Sequence, residues 1–284
     1  MPQTIVVGID GTRQADAAAE WAADEAVLRG AGVHLVHAQA PGPESVAPLA
    51  AQESRASWAE ELLGRTAERL REQRPGLPVT TRLLSSGPVP GLVAAAEAGD
   101  LLVLGSRAMG AVAGYLLGSV GLSVAGAVER PVVLVRGPGG ASSNGSVTVG
   151  VDARHPADAV LDFAFEEAAR RGADVTAVYA QQIPLYAGLG PAMVPDVRPA
   201  VAPEIEQSLD DLLEPWRAKY SEVGATARVV IGSAGIELVQ ASEDAGLLVV
   251  GRRARHSTPG ARIGSVAHAV LHHSRSPVAL VPHA

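Results

Sequence analysis

The chain is written twice. Residues 5–39 align without gaps to residues 147–181, pairing Gly8 with Gly150, Asp10 with Asp152, Gly30 with Gly172 and Ala38 with Ala180. Residues 100–136 align in the same way to 246–282, pairing Gly105 with Gly251, Gly118 with Gly264, Ser119 with Ser265 and Pro131 with Pro277. Self-similarity of this length marks a duplicated domain. The expected domains are 1–137 and 146–284, and the 284 residues suit two of ordinary size. Between them, GPGGASSNGS at 137–146 has the composition of a flexible linker.

Each copy alternates strand and helix. In the first, a continuous apolar run at 4–10 suits a strand buried on both faces, and further strands are expected at 33–39, 79–84, 101–105 and 131–136. Helical spacing fills 15–29, 52–74, 88–98 and 118–129, and Gly30 is a C-cap candidate. The second copy repeats the strands near 147–152, 174–180, 226–231, 247–251 and 277–282. Its helix near 204–222 contains Pro215, which should kink or interrupt it. Five strands alternating with four helices imply an α/β fold, an open five-stranded parallel sheet with helices on both faces, present twice.

Composition excludes several functions. There is no cysteine, hence no disulfide, thiolate metal site or cysteine nucleophile. Lys219 is the only lysine, so a lysine-dependent phosphate loop is unavailable. A net charge of −7 argues against nucleic-acid binding. The start, MPQTIVVGID, lacks a basic n-region and runs straight into a strand, so a cytoplasmic location is expected. Residues 108–128 are uncharged and carry Gly110, Gly114 and Gly118 at small-xxx-small spacing, but five glycines and the repeat weigh against a membrane helix. His268 and His272 stand four apart without the glutamate of a metalloprotease motif and read as a surface or interface pair. Glu166–Glu167 and Asp210–Asp211 read as solvated helix faces, and Trp21, Trp58 and Trp216 as packing residues.

In an open parallel sheet a ligand binds beyond the carboxyl ends of strands, where strand order reverses. With the order 3-2-1-4-5, that point lies between the first and fourth strands, at Asp10 and Gly105. The connection after Gly105 is SRAMGAVAGYLL, leading to Gly118-Ser119 at a helix start; its counterpart is RRARHSTPGARI, with four arginines and a histidine. Glycines and a helix N-terminus together favour an anion, and phosphate is the natural guest. Arg252, Arg253, Arg255 and Arg262 are expected to give the second copy the stronger field. Asp10 and Asp152 are alternatively turn or capping aspartates.

The spacing Gly105, Ala108, Gly118, Ser119, repeated as Gly251, Ala254, Gly264, Ser265, resembles the nucleotide loop of the universal stress protein family. So do the V-G-I-D end of the first strand, the V-H-A end of the second and the closing Pro-Val-x-Leu-Val strand. The resemblance covers both copies and implies a tandem member with a Rossmann-like, adenine-nucleotide α-hydrolase-like fold. It implies a stress-response sensor or regulator binding ATP, with Mg2+ reaching the site through the phosphates and little or no catalysis. The implied first site comprises Gly8, Ile9, Asp10, Ala38, Gly105, Arg107, Ala108, Gly118, Ser119 and Val120. The second comprises Gly150, Val151, Asp152, Ala180, Gly251, Arg253, Ala254, Gly264, Ser265 and Val266. In each, the aspartate and the strand-2 backbone at Ala38 or Ala180 would recognise adenine. The family's second loop glycine is alanine here, at Ala108 and Ala254, and His256 replaces Gly110. No metal ligand or catalytic residue is implied.

Two other classes remain. A ligase-type or nucleotide-hydrolysing enzyme of the same superfamily should show S-G-G-x-D-S after the first strand, where this chain has G-I-D-G-T. A scaffold would bind no nucleotide. Family members pair through their last strand, which implies association at 132–136 and 278–281, as a homodimer or an internal pseudo-dimer. Val133→Pro is expected to loosen it.

Overall fold

The computed structural model describes residues 3–39, 49–106, 118–137, 145–181, 198–253 and 263–283. The expected linker lies mostly outside them. In chain order the elements are β1 (Thr4–Gly8), α1 (Arg13–Arg29), β2 (Gly32–Ala38), α2 (Leu49–Gln73), β3 (Val79–Leu84), α3 (Pro88–Glu97), β4 (Leu101–Gly105), α4 (Ser119–Ala127) and β5 (Val132–Val135). The second copy supplies β6 (Val147–Gly150), α5 (Asp158–Arg171), β7 (Val175–Gln181), α6 (Arg198–Lys219), β8 (Ala225–Ile231), α7 (Ala234–Ala241), β9 (Leu247–Arg253), α8 (Ser265–His273) and β10 (Val278–His283).

The strands form one sheet in the order β3-β2-β1-β4-β5-β10-β9-β6-β7-β8. Each copy is a five-stranded parallel sheet with its order reversing at β1/β4 and β6/β9, as the repeat implies. The single antiparallel pair joins the copies: Leu134 faces Val278 and Val132 faces Leu280. Alternating strand residues feed two layers. Ile5, Val7, Val147 and Val149 pack beneath α1, α2, α5 and α6, whereas Val6, Leu102, Leu248 and Val250 pack against α3, α4, α7 and α8. Both layers cross the seam, so the halves share one core.

The strand-to-strand seam has a directionality that the sequence does not reveal. Leu102 and Ser106 on β4 donate to the Pro131 and Val135 carbonyls. Since backbone groups alternate sides along a strand, Val133 also faces β4, while Val132 and Leu134 face β10. Val133→Pro therefore strikes the first copy's own sheet, whereas Leu134, like Val132, turns its N–H to the seam.

Above the seam, α1 and α5 meet through four buried charges. Glu25 and Arg29 stand one turn apart on α1, and Glu167 and Arg171 occupy the matching positions of α5. Arg29 donates to Glu25 and Glu167, and Arg171 donates to Glu167 and Glu25. All four side chains are 6% exposed or less. Each guanidinium also lies over an aromatic ring of the other helix, Arg29 over Phe163 at 5.8 Å and Arg171 over Trp21 at 5.9 Å. Glu166–Glu167 is thus not a solvated face as a whole: Glu166 is half-buried and pairs with Arg170, whereas Glu167 belongs to this square. Burial and the charge of Glu167 push the Glu25 carboxyl upward, against the pull of both arginines. Burial acts the same way on Glu167, but Arg171 and Arg29 outweigh it and the net direction is down.

On the opposite layer, Arg252 donates to the carbonyls of Gly126 and Val128 at the end of α4. Arg136 donates to the Leu271 carbonyl in the last turn of α8, at 2.7 Å. Each copy thus lends an arginine to the other's helix C-terminus, where positive charge is favoured. Arg252 is buried in that role, which removes it from the expected phosphate-binding field.

Other expectations shift. α6 runs unbroken from Arg198 to Lys219 through Pro203 and Pro215, its inner side anchored by buried Leu209 and Leu213. His272 is buried and His268 exposed, with ring centroids 4.2 Å apart. Trp21 and Trp216 pack against the core, but Trp58 is 47% exposed. Among the described residues no helix is long and apolar enough to cross a membrane.

Candidate functional site

The site is built where β1 ends. The strand closes at Gly8, two residues before the expected Asp10, and Ile9 still donates to the Val36 carbonyl at 2.8 Å. The chain then turns. Asp10 Oδ1 accepts from the Thr12 N–H at 3.0 Å and from its hydroxyl at 2.6 Å, and Gly11 adopts a φ of 79°. A side chain other than glycine rarely takes that conformation. Thr12 Oγ1 caps α1 by accepting from the Ala15 N–H. The alternative reading of Asp10 as a turn-forming aspartate is therefore realised, with the carboxylate still exposed.

The second copy repeats the aspartate turn and departs after it. Asp152 Oδ1 accepts from the Arg154 N–H at 3.0 Å, and Oδ2 lies 3.3 Å from His155 Nδ1. Pro156 follows, and α5 begins only at Asp158, without a side-chain cap. Relative to the repeat, α5 starts three residues later than α1. Val151, like Ile9, donates back to the neighbouring strand, here to Val178.

That difference changes what surrounds the fourth-strand glycines. A Cβ on Gly105 would lie 2.5–2.7 Å from the backbone of Gln14 and Ala15, so glycine lets the first turn of α1 close on β4. A Cβ on Gly251 would instead meet the His283 ring at 2.8 Å and Val160 at 3.1 Å. A histidine occupies the place of the missing helical turn. Gly8 and Gly150 similarly admit leucine side chains, Leu104 and Leu92 in one copy and Leu238 in the other. These four glycines each have a packing reason.

For Gly264, at a helix start, the described residues supply no such reason. Gly118 and Gly264 have ordinary φ values of −58° and −59°, and a Cβ on Gly264 would meet nothing within 4 Å. Each precedes a nine-residue helix, α4 or α8, whose first turn receives no hydrogen bond from its cap side chain. Ser119, Val120 and Ser265 are exposed and Val266 is half-buried. In a parallel sheet with return helices, these N-termini open at the carboxyl end of the strands, the end that carries Asp10 and Asp152. Ala38 and Ala180, half-buried at the ends of β2 and β7, share that edge. β9 continues past its counterpart to Arg253, which is exposed. Arg107, Ala108 and Ala254 lie outside the described residues, as do Arg255, His256 and Arg262.

Two neighbours of the first site escaped the sequence reading. His37 Nδ1 lies 2.7 Å from the Ile9 carbonyl, and the His37 ring meets the edge of Trp58 at 5.7 Å. Only the positive-φ glycine after Asp10 hinted at a close approach there. Among the described residues, no group of three or more His, Asp or Glu could hold a metal ion.

The Universal stress protein family model matches residues 1–136 and again 144–282. A universal stress protein of Mycobacterium tuberculosis is 33% identical over 285 residues, covering 96% of this chain and 95% of its own. One from Mycolicibacterium smegmatis is 30% identical, covering 98% and 96%. The crystal structure of a universal stress protein from Archaeoglobus fulgidus superposes with a TM-score of 0.75, covering 99% of this chain and 98% of its own, at 16% identity. That last likeness speaks to the fold.

Proposed function

The chain belongs to the universal stress protein family, and from that premise we propose that it is a cytoplasmic stress-response regulator that binds ATP, with one site in each copy. The observation that carries the reading is the repetition of a helix N-terminus begun by glycine, without a side-chain cap among the described residues, at Gly118 and at Gly264, beside the strand-order reversal. Free N–H groups and the helix dipole favour phosphate there. Among the described residues nothing lies within 4 Å of a Cβ on Gly264, which fits such a guest, and Ser119 and Ser265 add exposed hydroxyls. Asp10 and Asp152 would face the base, their carboxylates fixed by the turns they close. Mg2+ would be carried by the phosphates.

The role is binding rather than catalysis. Asp10 is engaged with Thr12, and Asp152 with Arg154 and His155, so neither is disposed as a general base. Denaturing the purified protein and identifying released nucleotide by mass spectrometry tests the ligand. Calorimetric titration with ATP tests the sites. Stoichiometry near two should fall to near one in Gly118→Val and in Gly264→Val, and to zero in the double variant. Unchanged stoichiometry in both folded single variants would overturn the assignment.

A further inference from the structure

We propose that Trp58 is a base-contacting residue of the first site and that the second site has no counterpart to it, so the two copies recognise the nucleotide by different chemistry. The inference rests on the nucleotide reading above and goes beyond it to a specificity-determining side chain.

Trp58 is one of five large apolar residues left exposed among the described residues, and the only aromatic one. It projects from α2 onto the turn that follows Asp10: a Cβ on Gly11 would lie 3.3 Å from Trp58 Cζ2 and 3.4 Å from Cη2. On its other flank the His37 ring meets it edge-on. His37 is itself tied to the Ile9 carbonyl, which fixes the indole beside the residue expected to read the base. One edge of the indole is thus held while nearly half of the residue stays open, at the carboxyl end of the sheet. A planar base can use that open surface, and aromatic faces accept bases by stacking.

The second copy serves as an internal comparison. Counting back from the matched strands β3 and β8, Trp58 aligns with Glu204, an exposed acid. Gly11 aligns with Ala153 and His37 with Tyr179, which is buried and donates its hydroxyl to Gln181. Among the described residues, the ring against Asp152 is the small imidazole of His155 and not an indole. That site instead offers Arg154, His155, Arg253 and His283, groups suited to phosphate rather than to a ring.

The test uses the full-length protein and its own fluorescence, since Trp21 and Trp216 are packed into the core. ATP should change tryptophan emission with a stoichiometry of one, and inorganic tripolyphosphate should not. Trp58→Ala should remove the change and weaken one of the two calorimetric sites by about tenfold. Trp58→Phe, which retains a ring, should keep most of the affinity. If ATP binds two sites with unaltered affinities in a folded Trp58→Ala protein, the proposal is overturned and the nucleotide reading stands. If wild-type protein binds no ATP at all, the nucleotide reading itself fails.

Discussion

Arg171 of the second copy donates to Glu25 of the first at 2.5 Å, and Arg29 answers by donating to Glu167. Each charge has two opposite partners within the square, Glu167 accepts from Arg170 as well, and all four side chains are almost fully buried. Removing one member strands a buried charge, and such losses run to about 3–5 kcal/mol. Arg171→Ala and Glu167→Ala should each lower the urea unfolding free energy by that order. Replacing all four residues with leucine or methionine should cost far less than either single change, since the desolvation penalty disappears with the charges.

Gly105→Ala and Gly264→Ala should separate packing from binding. The first places a methyl within 2.7 Å of helix backbone, so α1 must shift, at a cost of about 1–3 kcal/mol. The second meets open space at an ordinary φ and should leave the unfolding midpoint unchanged. Thermal denaturation of the pair, without nucleotide, makes the comparison.

Mild acid should weaken the fold through two histidines. Burial lowers the His34 pKa, with Arg82 adding to it; burial also lowers that of His268, helped by His272 and His273. With folded values below 6.5, the unfolded chain takes up protons first. Their contribution is present above that pH and lost as pH falls toward the folded values. The urea midpoint should therefore drop between about pH 7 and pH 5.5. His268→Leu, the residue at the matching position 122, should flatten that drop.

At the seam, the direction of the Leu134 N–H makes a distinction. Wild-type protein cut within 137–146 should still migrate as one particle by gel filtration, because β5 and β10 remain paired. Leu134→Pro removes a donor facing β10 and should let the cut halves separate. Val133→Pro should instead destabilise the first copy and leave the second folded.

The elements were legible because both copies follow simple rules: short apolar runs for the central strands, three-to-four spacing for helices, glycine at positions 30 and 172. The strand order within each copy was assumed as the common one for such sheets, and the observed order matches it. What stayed hidden depends on contacts between the copies. No local pattern distinguishes Glu167 from Glu166, and only the meeting of α1 with α5 buries one fully and leaves the other half-buried. Arg252 looked like a phosphate ligand because it begins an arginine-rich stretch, but its strand carries it to the end of α4. Gly105 matched a nucleotide motif, yet its nearest demand is the backbone of Gln14. Trp58 fitted a helical pattern whose outward side sits on the turn after Asp10.

The antiparallel join between β5 and β10 also changes what mutation can do. Two separate identical chains pairing through that strand would receive every substitution in duplicate, and their sites would stay alike. Here one gene encodes both partners as distinct stretches, held together by a shared core. A tryptophan can arise over one turn while a glutamate occupies the corresponding place, and an extra arginine can serve one half without appearing in the other. Fusion has made the pair permanent while freeing its members to specialise.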